Sequence, residues 1–143
     1  MKKFVFSLQK LYDVKESEEE QKRLELKELD KKLDELIHKL NQTVDIFNQQ
    51  KKKHAIKCKQ GIGAFELKSF GDYFQYLIGE IAQLNDFIVQ CEEEIDICRQ
   101  ALLKLMNEKK VLDRMRDEQL EAYNVEIAKF NEKEIEDFMQ GRL

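Results

Sequence analysis

Lys57-Cys58-Lys59-Gln60-Gly61-Ile62-Gly63-Ala64 is the stretch that decides the fold. It holds two of the chain's 5 glycines, and proline is 0 over 143 residues. Glycine takes φ > 0 at a helix C′ position at little steric cost and so starts a reversal. Gly71 and Gly79 sit inside apolar periodicity and are expected to stay helical, while Gly141 lies at a fraying end. The chain therefore reads as helix, short turn, helix.

Both flanks carry one kind of pattern. Upstream, Leu26, Leu29, Leu33, Leu36, Leu40, Thr43 and Phe47 alternate steps of three and four, the a/d seam of a coiled coil, which Ile37 and Val44 widen. Run backward, the register reaches Lys22, Glu19, Lys15, Tyr12, Leu8 and Val5, so three charged residues interrupt the seam and are expected to loosen it. Apolar character resumes with Phe4, Leu8, Leu11 and Val14. Downstream, Phe70, Phe74, Leu77, Ile81, Leu84, Ile88, Cys91, Ile95, Cys98, Leu102, Leu105, Lys109 and Leu112 keep the alternation. Leu120, Tyr123, Ile127 and Phe130 are offset by one residue, which predicts a stutter after Leu112.

A short turn makes consecutive helices antiparallel neighbours. The expected fold is all-α, a long antiparallel two-helix coiled-coil hairpin, as a single domain over residues 1–143. The helices should run from about 4 to 57 and from about 65 to 138, with the turn at about 58–64. Folding about residue 61 sets Phe47 near Phe74, Leu40 near Ile81, Leu33 near Ile88 and Leu11 near Val111, and leaves about 120–143 as an overhang. The paired segment would be on the order of 80 Å long, with a core one residue thick.

Composition agrees. Charged residues make up 38% and apolar residues 42%, with no tryptophan. A sheet-based domain needs many tight turns, which five glycines and no proline do not supply. The apolar share is too high for full disorder. No uncharged apolar run approaches the roughly 18 residues of a membrane span. Met1-Lys2-Lys3-Phe4-Val5-Phe6-Ser7 has basic residues without an apolar h-region, so no secretory signal is expected. Three widely spaced cysteines read as reduced cytosolic thiols. The net charge of −4 argues against general nucleic-acid binding. Residues 1–60 hold 15 basic and 11 acidic side chains, residues 61–143 hold 10 and 18, so the facing arms attract.

The motifs for chemistry are few. Neither a GxxxxGK[ST] loop nor a Gly-rich dinucleotide turn occurs, and a two-helix rod offers no interior for a catalytic pocket. No catalytic residue, cofactor site or metal site is expected. His54 and Cys58 are i, i+4 and supply half of a zinc site, but a solvated histidine near a turn is the plainer reading. Cys91 and Cys98, seven apart on one face, cannot bridge each other and read as small seam residues. Lys51, Lys52, Lys53, Lys57 and Lys59 gather beside the turn and read first as a solvated helix end, then as a contact for an acidic protein surface. Phe65, Phe70, Tyr73, Phe74 and Tyr76 crowd together; Tyr73 and Tyr76 lie off the seam, either widening it or presenting a partner-binding patch.

Four segments carry a family resemblance. Phe4-Val5-Phe6-Ser7-Leu8-Gln9-Lys10-Leu11-Tyr12-Asp13-Val14-Lys15-Glu16 resembles the F-x-F-x-L-Q-K-L-L-D-V-K-E opening of the FliJ family of flagellar export stalk proteins. Glu108-Lys109-Lys110-Val111-Leu112-Asp113-Arg114-Met115 is similar to its E-K-K-x-L-E-x-L segment, and Glu132-Lys133-Glu134-Ile135-Glu136-Asp137-Phe138 to its E-x-K-x-x-D-E ending, with the acidic pair reordered. Tyr73-Phe74-Gln75-Tyr76-Leu77 resembles the aromatic start of the family's second helix. The resemblance implies a non-catalytic antiparallel coiled coil, similar to the central stalk of rotary ATPases, in the flagellar type III export apparatus. It would associate with the hexameric export ATPase and with the cytoplasmic part of the membrane export gate, with export chaperones as a further partner class. It would support export, motility and chemotaxis from the cytoplasmic face of the membrane, held there through protein partners. On this reading Phe4, Phe6, Leu11, Lys109, Lys110 and Arg114 face the ATPase ring, and Phe47, Phe70, Tyr73, Tyr76 and Leu77 face the gate. A self-assembling coiled-coil scaffold or chaperone, and the equivalent stalk of a virulence secretion system, are the competing readings.

Overall fold

The structure, a computed structural model, describes residues 2–141. It consists of helix α1, Gln9–Gln60, and helix α2, Ala64–Gly141. Helix makes up 93%, without strands among the described residues, and the two helices pack against each other as the hairpin that the seams predict. Residues of high helix propensity fill both, and no proline interrupts them.

The reversal is shorter than expected. Gly61, at φ +94°, supplies the left-handed step directly after Gln60, so Cys58–Gln60 stay helical. The Gly63 carbonyl accepts the Leu67 amide at 3.0 Å and opens α2 two residues later. The start of α1 differs for another reason. Phe4 is half-buried, Val5 is exposed and Phe6 is buried. This is the alternation of an extended chain, which puts both phenylalanines on one side. Helix begins only once the Phe6 and Leu8 carbonyls accept the Gln9 and Tyr12 amides at 3.1 and 3.0 Å. Val5 thus leaves the helical seam in which the periodicity had placed it.

The packing divides into two units. The turn unit spans Leu24–Arg99. Its buried side chains, Leu77, Leu84, Cys91, Ile95 and Cys98, all lie on α2. The α1 seam, Leu26 through Phe47, is half-buried throughout. Phe47 meets Phe74 edge to face at 5.5 Å, and the Cys91 thiol donates to the Leu29 carbonyl at 3.5 Å, as a fold about residue 61 requires. Val44 is half-buried, but Ile37 is exposed and does not widen the seam.

The terminal unit joins the residues up to Arg23 with those from Gln100 onward. Phe6, Leu102 and Leu112 are its buried apolar side chains. Leu11 and Val111, expected near each other, are 43% and 52% exposed and add little to the buried core of this unit. The stutter also moves. After Leu112, besides Asp113 next to it, the half-buried positions are Arg116, Gln119 and Tyr123, which continue the 3-4 register, and Ile127, which departs from it by one; Leu120 is exposed. Two polar residues on the seam made it look as though it had slipped. The opening segment reaches α2 here: Phe4 packs on Tyr123 at 5.6 Å, the Tyr123 hydroxyl donates to the Lys2 carbonyl, and Gln119 reaches Ser7. Residues 128–141 are exposed.

Candidate functional site

Two of the three charged seam positions, Lys15 and Glu19, form a built layer within the terminal unit. Lys15 meets Glu108 at 2.7 Å, and Glu19 takes Lys109 on one oxygen and Arg23 on the other, each at 2.8 Å. Glu19 is 9% exposed, the one charged residue among those buried in the described residues. Its carboxyl is held below the usual range, first by the Lys109 hydrogen bond and then by Arg23, against the desolvation that would raise it. The Lys15 hydrogen bond does the same for Glu108, while Lys15 and Lys109 are pushed up by their carboxylate partners. The Tyr12 ring lies under both Lys109 and Arg116, at 5.3 and 5.8 Å, and Arg116 also reaches Asp113 at 3.2 Å. The seam is therefore closed here by opposite charges rather than loosened by them. Sequence reasoning named Lys15, Glu19 and Lys109 as seam positions but missed Arg23 and Glu108, which complete the layer; the available signal was the opposite charge of the two arms.

The residues expected to face an ATPase ring all belong to this unit. Phe6 is 5% exposed and works through packing, while Phe4 shows part of its ring beside Tyr123. Lys109 is committed to Glu19, whereas Leu11, Lys110 and Arg114 are exposed. Lys110 joins Glu19, Met106, Lys109 and Asp113 around a shallow open cleft.

The residues expected to face an export gate belong to the turn unit and split into two layers. Leu77 is 3% exposed. Phe47 and Phe70 are half-buried in an aromatic cluster with Phe74 and His54: His54 stands edge-on to Phe70 and Phe74 at 5.1 and 5.7 Å, and Lys57 lies over Phe70 at 5.7 Å. Outside that cluster, Tyr73 and Tyr76 stack on each other at 6.3 Å, one turn apart on the same helix face, and are 39% and 60% exposed. An exposed, stacked tyrosine pair offers apolar area with two polar tips at little entropic cost, which is what a protein interface uses. Tyr73 also borders an open cleft with Gln50, Lys57, Glu66 and Phe70.

His54 and Cys58 do share a face, with the sulfur 3.5 Å from one ring nitrogen, yet the described residues contain no cluster of three or more metal-ligating side chains. Cys91 and Cys98 are buried seam thiols; burial pushes the Cys91 thiol up. No described helix is long and apolar enough to cross a membrane.

No curated protein and no solved structure matches the chain. A protein-family model does: the flagellar FliJ protein family matches residues 4–142, from the Phe4 that packs on Tyr123 to beyond the described end of α2. A match of that extent, on a hairpin of two helices, places the chain in the FliJ family, components of the flagellar export apparatus.

Proposed function

We propose that this protein is a non-catalytic stalk of the flagellar export apparatus that engages two partners through its two units. The terminal unit, with Leu11, Lys110 and Arg114 exposed and with Phe4, Phe6 and Lys109 bracing them, is the surface for the hexameric export ATPase. The turn unit, through the exposed Tyr73 and Tyr76 together with the packed Phe47, Phe70 and Leu77, is the surface for the cytoplasmic part of the membrane export gate. By linking the two, the chain helps couple ATP hydrolysis to the export of flagellar subunits at the cytoplasmic face of the membrane.

The observation that carries this reading is the exposed, stacked Tyr73–Tyr76 pair. Seam residues need only each other, whereas an ordered aromatic pair outside the seam needs a partner to cover it. The closed charged layer supports the other half, since it holds Lys110 and Arg114 on a fixed helix face. The test is capture of each purified partner by the intact protein. Binding to the export ATPase and, separately, to the gate's cytoplasmic domain is the expected result. Neither partner binding, with self-association instead, would return the chain to the scaffold reading.

A further inference from the structure

Apart from Lys57, which lies over Phe70 and borders the same cleft as Tyr73, the lysines beside the turn belong to neither partner surface. Between positions 51 and 68 the chain carries Lys51, Lys52, Lys53, Lys57, Lys59 and Lys68 against Glu66 alone. All six lysines are exposed. At 3.6 residues per turn, those on α1 spread over every side of the helix except the one that carries Phe47 and His54. They form a collar around the end of the hairpin rather than a stripe along it. The same segment exposes apolar side chains: Phe65 is 83% exposed, the most open large apolar residue described, with Ile56 at 57% and Leu67 at 50%.

A collar suits a flat anionic plane better than a protein face. Protein interfaces favour arginine, whose planar fork pairs with carboxylates, and are depleted in lysine. This segment has lysine and no arginine. Lysine is strongly hydrated, and its long stem lets the ammonium reach headgroups while apolar neighbours go deeper. The α1 lysines fall within about 15 Å of the turn at 1.5 Å rise per residue, so together with their side-chain reach they can come within a Debye length of a surface the turn touches. Clusters of four to eight lysines beside exposed apolar residues bind anionic leaflets in this way.

We infer that the turn end of the hairpin docks end-on onto an anionic lipid bilayer surface, with Phe65 entering the headgroup boundary and the lysine collar seated on lipid phosphates. The contact is made by the chain itself, in addition to whatever its protein partners supply.

The chain has no tryptophan, so Phe65→Trp adds a single tryptophan, excited selectively over the tyrosines, at a largely exposed position. The probe is vesicles of equal parts phosphatidylglycerol and phosphatidylcholine, against vesicles of phosphatidylcholine alone. With the anionic vesicles the emission should shift to the blue and be quenched by brominated acyl chains, and rising salt should reverse both. Each lysine near the surface is worth about fivefold in affinity, so Lys51→Gln, Lys52→Gln and Lys53→Gln together should weaken binding on the order of 100-fold. Circular dichroism should show the helix content of all variants unchanged. Unshifted emission, or equal binding to neutral vesicles, would overturn the proposal. So would a triple variant that binds vesicles as the parent does but loses the gate's cytoplasmic domain, because the collar would then serve a protein.

Discussion

Glu19 shows why single residues matter in a core one side chain thick. Its carboxylate sits where a leucine would continue the seam, and it is tolerated because Lys109 and Arg23 satisfy both oxygens. Removing one partner leaves a largely desolvated charge, while removing both is milder. Glu19→Ala and Lys109→Ala should each lower stability by about 1–2 kcal/mol, and the double variant should cost less than their sum in a thermal-melt cycle. Additive losses would mean the pair is decoration. The same layer sets a pH response. Glu19 and Glu108 have folded pKa values below their unfolded ones, so their contribution is present above the ordinary carboxylate value of 4.5 and is lost as pH falls through the lower folded values. Lys15 and Lys109 are raised, so theirs is present below 10.5 and is lost as pH climbs past it through the higher folded values. Melts across pH should show a plateau between these limits, and Glu19→Gln should flatten its acid edge. Cysteine reactivity gives an independent check on burial: a maleimide should label the exposed Cys58 in the folded protein and reach Cys91 and Cys98 only on unfolding.

At the level of the elements, one backbone angle separates two otherwise similar glycines. Gly61 needs φ +94°, and a Cβ there would meet nothing within 4 Å, so Gly61→Ala pays only the left-handed penalty, about 1 kcal/mol. Gly71 is in the interior of α2 with equally open space, so Gly71→Ala should stabilise by up to about 1 kcal/mol. Opposite shifts of the melting midpoint are the expected outcome. Both effects could be read before any coordinates, because they depend on local backbone chemistry. The seams were legible for the same reason: every α1 position from Leu26 to Phe47 and every α2 position from Phe70 to Leu112 in the 3-4 pattern proves covered or half-covered. What periodicity missed lay where apolar character fails as a signal. Arg116 and Gln119 occupy seam positions as polar residues, so the pattern suggested a slip that does not occur there. Phe4 and Phe6 pack with a period of two, which a search for steps of three and four does not see. The candidate surface was half legible, since spacing put Tyr73 and Tyr76 off the seam but could not say that they stack. A core test follows from the same register. Leu84→Asp, at 4% exposure, should cost roughly 3 kcal/mol or more, whereas Ile97→Asp, at 67%, should leave the melt nearly unchanged.

For the molecule as a whole, the question is whether two partner surfaces are separate. Tyr73 and Tyr76 belong to the turn unit, while Leu11, Lys110 and Arg114 belong to the terminal unit with its own charged layer. Side chains in separately packed units, sharing no partner, should act additively. Tyr73→Ala with Tyr76→Ala removes two exposed rings and leaves Phe47, Phe70, Phe74 and Leu77 packed, so helix content and melting should hardly move. Central interface aromatics are commonly worth about 2 kcal/mol or more each, so affinity for the gate's cytoplasmic domain should fall more than tenfold and motility should drop. Affinity for the export ATPase should survive. The reciprocal variant, Lys110→Ala with Arg114→Ala, should lose the ATPase and keep the gate. Binding of parent and both variants to each purified partner, read beside their melts, decides the matter. Equal loss of both partners by the tyrosine variant, or a collapsed melt, would defeat the two-surface model. The stacked tyrosines would then be an outer layer of the core, and the partner contacts would have to be sought among the other exposed apolar residues of α2.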